Sequence, residues 1–295
     1  MTSQNRQMTG MGRASRGDLD GTVPSDAEWT TSALPDVHSD MTTTVPATAP
    51  HLPAAGGPAS GPSAADLWCV WCGLLFVLVA GLGLVMFIPP PNPGASATTI
   101  ASYWADGTWL ANRDVRRAGL ILLAFGILLG LPFAAALSKQ LRRIDGPGPV
   151  LAYVQIGGGA IATTMGMMYV FMWFAILLHP QRPPEITAAM TDISWLGFVG
   201  AWTPGWLQAV ALGVGVFADR DGATGLPRWL GYLSFWYCFA ALAGALVGFF
   251  DVGPFAWNGL VAFYVGGFAY FTWYVTSFVA LRRAVLAAPL QSSRA

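Results

Sequence analysis

The chain has 295 residues, of which 54% are hydrophobic and 10% charged, and its 15 cationic and 15 acidic side chains give a formal net charge of zero. Soluble domains carry roughly 25% charged residues, so this composition excludes an ordinary soluble domain. The even balance offers no basic surface for nucleic acid and no acidic one for a cationic partner.

From Met1 to about Asp66 the residues are mainly Thr, Ser, Pro, Ala and Gly, with scattered charges. Such a segment buries too little apolar surface to offset the entropy of ordering it, and residues 1–66 read as a disordered cytoplasmic tail. The first 21 residues contain Arg6, Arg13, Arg16, Asp18 and Asp20 and no apolar core, so no cleavable signal peptide is expected there. The first apolar run begins at Leu67 and is expected to act as both insertion signal and span.

Six continuous apolar stretches follow, at 67–88, 118–137, 151–178, 195–217, 229–250 and 257–281. Each is near the roughly 20 residues a helix needs to cross hydrocarbon, and their interiors contain no Asp, Glu, Lys or Arg. A transmembrane β-barrel would show alternation in runs of about ten instead. The reading is an all-α polytopic bundle of six transmembrane helices over residues 67–285, with a short tail at 286–295.

Orientation follows from the cations near the span ends. With the N-terminus inside, the cytoplasmic side receives Lys139, Arg142, Arg143, Arg220, Arg228, Arg282 and Arg283, and the outside receives Arg113, Arg116, Arg117 and Arg182. Seven against four favours both ends in the cytoplasm, in a multi-pass protein of the cell membrane.

The first external loop opens with Pro89-Pro90-Pro91-Asn92-Pro93, which cannot continue a helix. Beyond it Ile100, Tyr103, Trp104, Leu110 and Ala111 fall at helical spacing. They predict a short interfacial helix anchored by Trp104 and Trp109, or a lid over a cavity. A weak internal likeness links Pro132, Asp145-Gly146 and Tyr153 to Pro204, Asp221-Gly222 and Tyr232, which is the pattern of a parallel repeat or of a common turn used twice.

Few residues suit catalysis or metal binding. Cys69 and Cys72 form a Cys-x-x-Cys without the second pair that a closed zinc site needs. Met165, Met167, Met168 and Met172 supply soft thioethers, which equally fill irregular cores. His38, His51 and His179 lie outside the spans. No nucleophile with its base and no paired carboxylates are found, so no catalytic residue, metal or cofactor is assigned.

Uncharged polar groups inside the spans are the better candidates. Gln155 and Gln208 bring amides into low dielectric, where an unpaired one costs several kcal/mol; Asn258 and Thr163 belong to the same group. Such residues either fix helix packing by hydrogen bonding or line a pocket. Pro132 and Pro204 should kink their helices, and two kinked spans at matching places can frame a cavity. Of the 35 glycines many lie in spans, where small residues let helices approach closely.

The segments Phe87-Ile88-Pro89-Pro90-Pro91-Asn92-Pro93, Leu141-Arg142-Arg143-Ile144-Asp145-Gly146, Pro180-Gln181-Arg182-Pro183-Pro184-Glu185, Pro227-Arg228-Trp229-Leu230-Gly231-Tyr232 and Gly253-Pro254-Phe255-Ala256-Trp257-Asn258 together resemble a family of actinobacterial six-span membrane proteins. The resemblance covers about 67–285. It implies a fold and topology but no activity and no residue roles. In that pattern a cation often follows the Phe-Phe pair, whereas this chain has Asp251 there, which argues against a cation-dependent role for that turn.

The function expected from these features is binding or moving a small apolar or neutral molecule in a pocket formed by Gln155, Gln208, Pro132, Pro204 and Asn258. The alternative is a structural or accessory subunit. The expected partner is the lipid bilayer, and the small-residue faces also suit another membrane protein or a second copy of the chain.

Overall fold

The computed structural model describes residues 61–106, 112–145, 148–200 and 202–292. All of them belong to the unit Ala55–Ala295. The expected tail up to residue 60, and the interfacial residues Trp109, Leu110 and Ala111, lie outside the described residues. The described residues contain helices and no strand.

Helix α1 (Ala64–Val85) starts where Ser63 can cap it, its hydroxyl accepting the Asp66 amide at 3.1 Å, as N-cap serines do. After the proline run comes α2 (Ala97–Asp106), the expected short helix. Helix α3 (Arg113–Asp145) returns along α1 and passes through Pro132 without ending. It exceeds the expected 118–137 because arginines at both ends are drawn into the helix. Helix α4 (Val150–Leu178) follows a turn in which the Asp145 carboxylate accepts the Ala152 amide at 3.0 Å.

The expected fourth span, 195–217, is covered by α5 (Pro184–Gly200) and α6 (Trp202–Ala218), with residue 201 between them outside the described residues. Pro204 stands at the third position of α6, where its missing backbone donor costs least, and the Thr203 hydroxyl donates to the Gly200 carbonyl at 2.6 Å.

Helix α7 (Arg228–Ala245) is followed by a short 3-10 turn, Val247–Phe249. The last span also departs from expectation. Trp257 and Asn258 stand in a turn, a π-helical turn occupies Leu260–Val265, and α8 runs Gly266–Ser292. The wide turn arises where the Pro254 carbonyl accepts the amides of both Val261 and Ala262. Residues 286–292, expected in the tail, continue α8.

The principal neighbours run α1, α3, α4, α6, α7, α8 and back to α1, with α5 against α4 and α2 against α5. Side-chain bonds identify the two ends of this ring. At the proximal end, where α1 begins, Lys139 meets Asp66 at 2.7 Å, Ser138 donates to the Ala152 carbonyl, and the Arg282 guanidinium lies over Trp71. At the distal end the Tyr103 hydroxyl donates to the Phe87 carbonyl, Trp104 to Thr191, and Trp257 to the Pro91 carbonyl.

Four helical segments among the described residues, α1, α3, α4 and the run Arg228–Phe249, are long and apolar enough to cross a membrane. Phe125, Phe171, Phe239 and Phe268 are each more than half exposed on the outside. A surface of this kind suits hydrocarbon rather than water, and the structure is compatible with an integral membrane protein.

Candidate functional site

Gln155 occupies the second turn of α4 and Gln208 the middle of α6. Both are fully buried, and the Gln155 Nε2 donates to the Gln208 Oε1 at 3.3 Å. Glycine makes this approach possible. A Cβ on Gly158 would stand 3.1 Å from the Gln208 Cγ, and one on Gly159 would stand 3.5 Å from its Oε1. The pair is incomplete: Gln155 Oε1 and Gln208 Nε2 have no hydrogen-bond partner among the described residues.

Beside Gln208 stand two tyrosines of α8, Tyr270 and Tyr274, one helical turn apart. Their hydroxyls are 3.4 Å from each other, and the Gln208 side chain approaches the Tyr274 hydroxyl. The same two rings form one wall of a half-open cavity of about 50 Å³. The rest of its lining is apolar or small and comes from α1, α3, α4, α5 and α8, among it Phe76, Leu123, Ile127 and Phe198, with Thr163 as a further polar group. None of the residues lining it is charged. A single water needs roughly 10–15 Å³ on this measure, so the cavity has room for a small molecule or part of one.

Of the residues singled out in the sequence, the structure brings Gln155 and Gln208 together, neither of them in the cavity wall, and places Thr163 in that wall. Pro132 is half-buried in α3, two residues from the cavity-lining Gly130, and Pro204 is buried at the start of α6; neither lines the cavity. Asn258 lies in the distal turn before the π-helical residues. It precedes Tyr274 by 16 residues, on the order of 20 Å along the axis. Other polar candidates serve packing. Ser234 donates to the Leu230 carbonyl and accepts from Trp273 Nε1 at 3.0 Å, and Thr276 bonds to carbonyls of its own helix.

The tyrosines were missed in the sequence because aromatic residues are common in spans. The usable signal was their spacing: Tyr270 and Tyr274 are four apart and share one helix face.

Trp104, expected as a surface anchor, is buried, as is Ile100, and its indole donates to Thr191 at 2.8 Å. Helix α2 therefore packs into the distal end, chiefly against α5, instead of resting on the surface. Asp192 and Asp251 line a second cavity of about 160 Å³ at that end, with Pro93 and Trp257. Cys69, Cys72 and Cys238 are free thiols.

No family model, curated protein or solved structure matches this chain.

Proposed function

We propose that this is a six-span protein of the cell membrane with both ends of the bundle on the cytoplasmic side, and that it binds or moves a small apolar or neutral molecule. The observation that carries the ligand reading is the uncharged cavity ending at Tyr270 and Tyr274, with two incompletely bonded glutamines behind them. Pockets for small molecules are mainly apolar with a few placed polar groups. An apolar body fits against Phe76, Leu123 and Ile127, with one hydroxyl or carbonyl turned toward the Tyr274 phenol. A charged ligand lacks a counter-charge there.

The topology is supported by the cations. Lys139, Arg142, Arg143, Arg220, Arg228, Arg282 and Arg283 belong to proximal segments, against four arginines on distal ones. Helices α5 and α6 together then make one crossing, and the π-helical turn with α8 makes another. The resemblance to actinobacterial membrane proteins agrees with this topology and assigns no activity.

The test is purification in mild detergent, with mass spectrometry of the intact complex. A recurring neutral lipophile that is retained by the wild type and lost in Gln208→Leu and in Ala162→Leu, which adds bulk to the cavity wall, is the expected result. A stoichiometric protein partner with no retained small molecule would identify an accessory subunit instead.

A further inference from the structure

Arg116 stands in the first turn of α3 at the distal end, and no part of it is exposed. Its guanidinium lies 3.7 Å from the centre of the Tyr103 ring and 5.8 Å from that of Trp104. One donor, Nη1, is taken by the Tyr103 carbonyl. The other edge, Nε and Nη2, has no partner among the described residues, and no carboxylate among them forms an ion pair with it.

Its neighbours show that this is particular to the residue. Arg113 donates twice to the Leu177 carbonyl, at 3.2 and 2.7 Å, and Arg117 pairs with Asp114 at 3.0 Å and reaches the same carbonyl. Those two arginines neutralise the carbonyl end of α4, as cations at a helix C-terminus do. A buried charge without a counter-charge is strongly unfavourable, and among the described residues Arg116 has neither carboxylate nor helix end.

The geometry points to an oxyanion site. Nε and Nη2 are the two donors on one side of the planar guanidinium, and their parallel N–H bonds match two oxygens of one phosphate or carboxylate. The plane is fixed before any ligand arrives. Tyr103 stacks on it and is itself held by its hydroxyl bond to the Phe87 carbonyl at 2.9 Å, and Trp104 is held by Thr191. Burial pushes the Tyr103 pKa up despite the nearby guanidinium, so the phenol stays neutral and keeps its bond to the Phe87 carbonyl. In the proposed topology this is the level of the lipid headgroups, where the oxyanion present in quantity is phosphate.

We propose that Arg116 binds a phosphate oxyanion through Nε and Nη2 beneath α2. The anion is either the headgroup of a phospholipid or free phosphate. The site is separate from the half-open cavity and does not depend on what that cavity holds.

The test uses full-length protein in detergent and in nanodiscs. Delipidated protein is melted in sodium phosphate and in sodium chloride of equal ionic strength. Phospholipid retained after extraction from phosphatidylglycerol and from phosphatidylcholine nanodiscs is counted by mass spectrometry. A midpoint raised by phosphate identifies the free anion; one phospholipid retained per chain with no response to free phosphate identifies the headgroup. In either case Arg116→Gln weakens binding by roughly ten- to a hundredfold, Arg116→Lys restores only part of it because the fork is lost, and Arg117→Gln leaves it unchanged. Equal melting in both salts together with no retained phospholipid in the wild type overturns the proposal, a result that needs no variant to fold. Equal binding by wild type and Arg116→Gln, or stabilisation by acetate but not by phosphate, overturns it as well.

Discussion

Asp219, just beyond α6, shows how one carboxylate can hold a turn. It accepts the amides of Ala223 and Thr224, each at 2.8 Å, and the Thr224 hydroxyl. Partial burial opposes its ionisation, but these bonds together outweigh that effect and hold its pKa below the usual carboxylate value. A depressed pKa means that the charged form favours the fold. The contribution is complete above the ordinary value of about 4 and is lost as the pH falls through the folded value. Asp219→Asn should therefore reduce stability at neutral pH and flatten its fall below about pH 4, checked by melting across that range. The sequence likeness had matched Asp145 with Asp221; the structure gives the matching role to Asp219, because only its carboxylate meets the following amides. The glutamine pair makes a second prediction at this scale. Gln208→Leu leaves the Gln155 amide buried without its partner and should cost roughly 1–3 kcal/mol, whereas the double change to leucine should recover much of the loss. A double-mutant cycle that showed simple additivity would mean that the two amides do not act together.

Among the elements, α1 and α3 lie closest. A Cβ on Gly83 would come within 2.6 Å of the Gly119 carbonyl, and one on Gly126 would collide with the backbone of Ala80. Side chains are kept out of this seam so that backbone meets backbone, the usual basis of close packing in membranes. Gly126→Leu should separate the two helices and prevent a folded monomer from eluting on size exclusion. Gly81→Leu, two residues from Gly83 but with nothing within 4 Å, should be tolerated. Apolar run length made α1, α3 and α4 legible in the sequence, since a continuous run has few alternative structures in lipid. It could not show the π-helical turn at Leu260–Val265, because those residues are as apolar as the rest of the run. The site was legible to the same degree. Two polar residues in an apolar run stand out, which found Gln155 and Gln208, while Tyr270, Tyr274 and the buried state of Arg116 depend on which residues the fold places opposite one another.

For the whole molecule, the proposed topology makes the proximal end cytoplasmic. Single cysteines in a Cys69→Ser, Cys72→Ser, Cys238→Ser background test it: Arg220→Cys should resist an impermeant maleimide on intact cells and Arg182→Cys should react. The reverse pattern would invert the bundle. The irregular last crossing also bears on how the protein is made. Helices α1, α3, α4 and the run containing α7 are each long and apolar enough to cross a membrane, whereas the π-helical turn with α8 offers an irregular segment. Nascent chains released at residue 292 should then retain that segment in the bilayer only when α7 is intact, as glycosylation mapping can reveal, so that assembly order during synthesis is written into the place where the helix changes its winding.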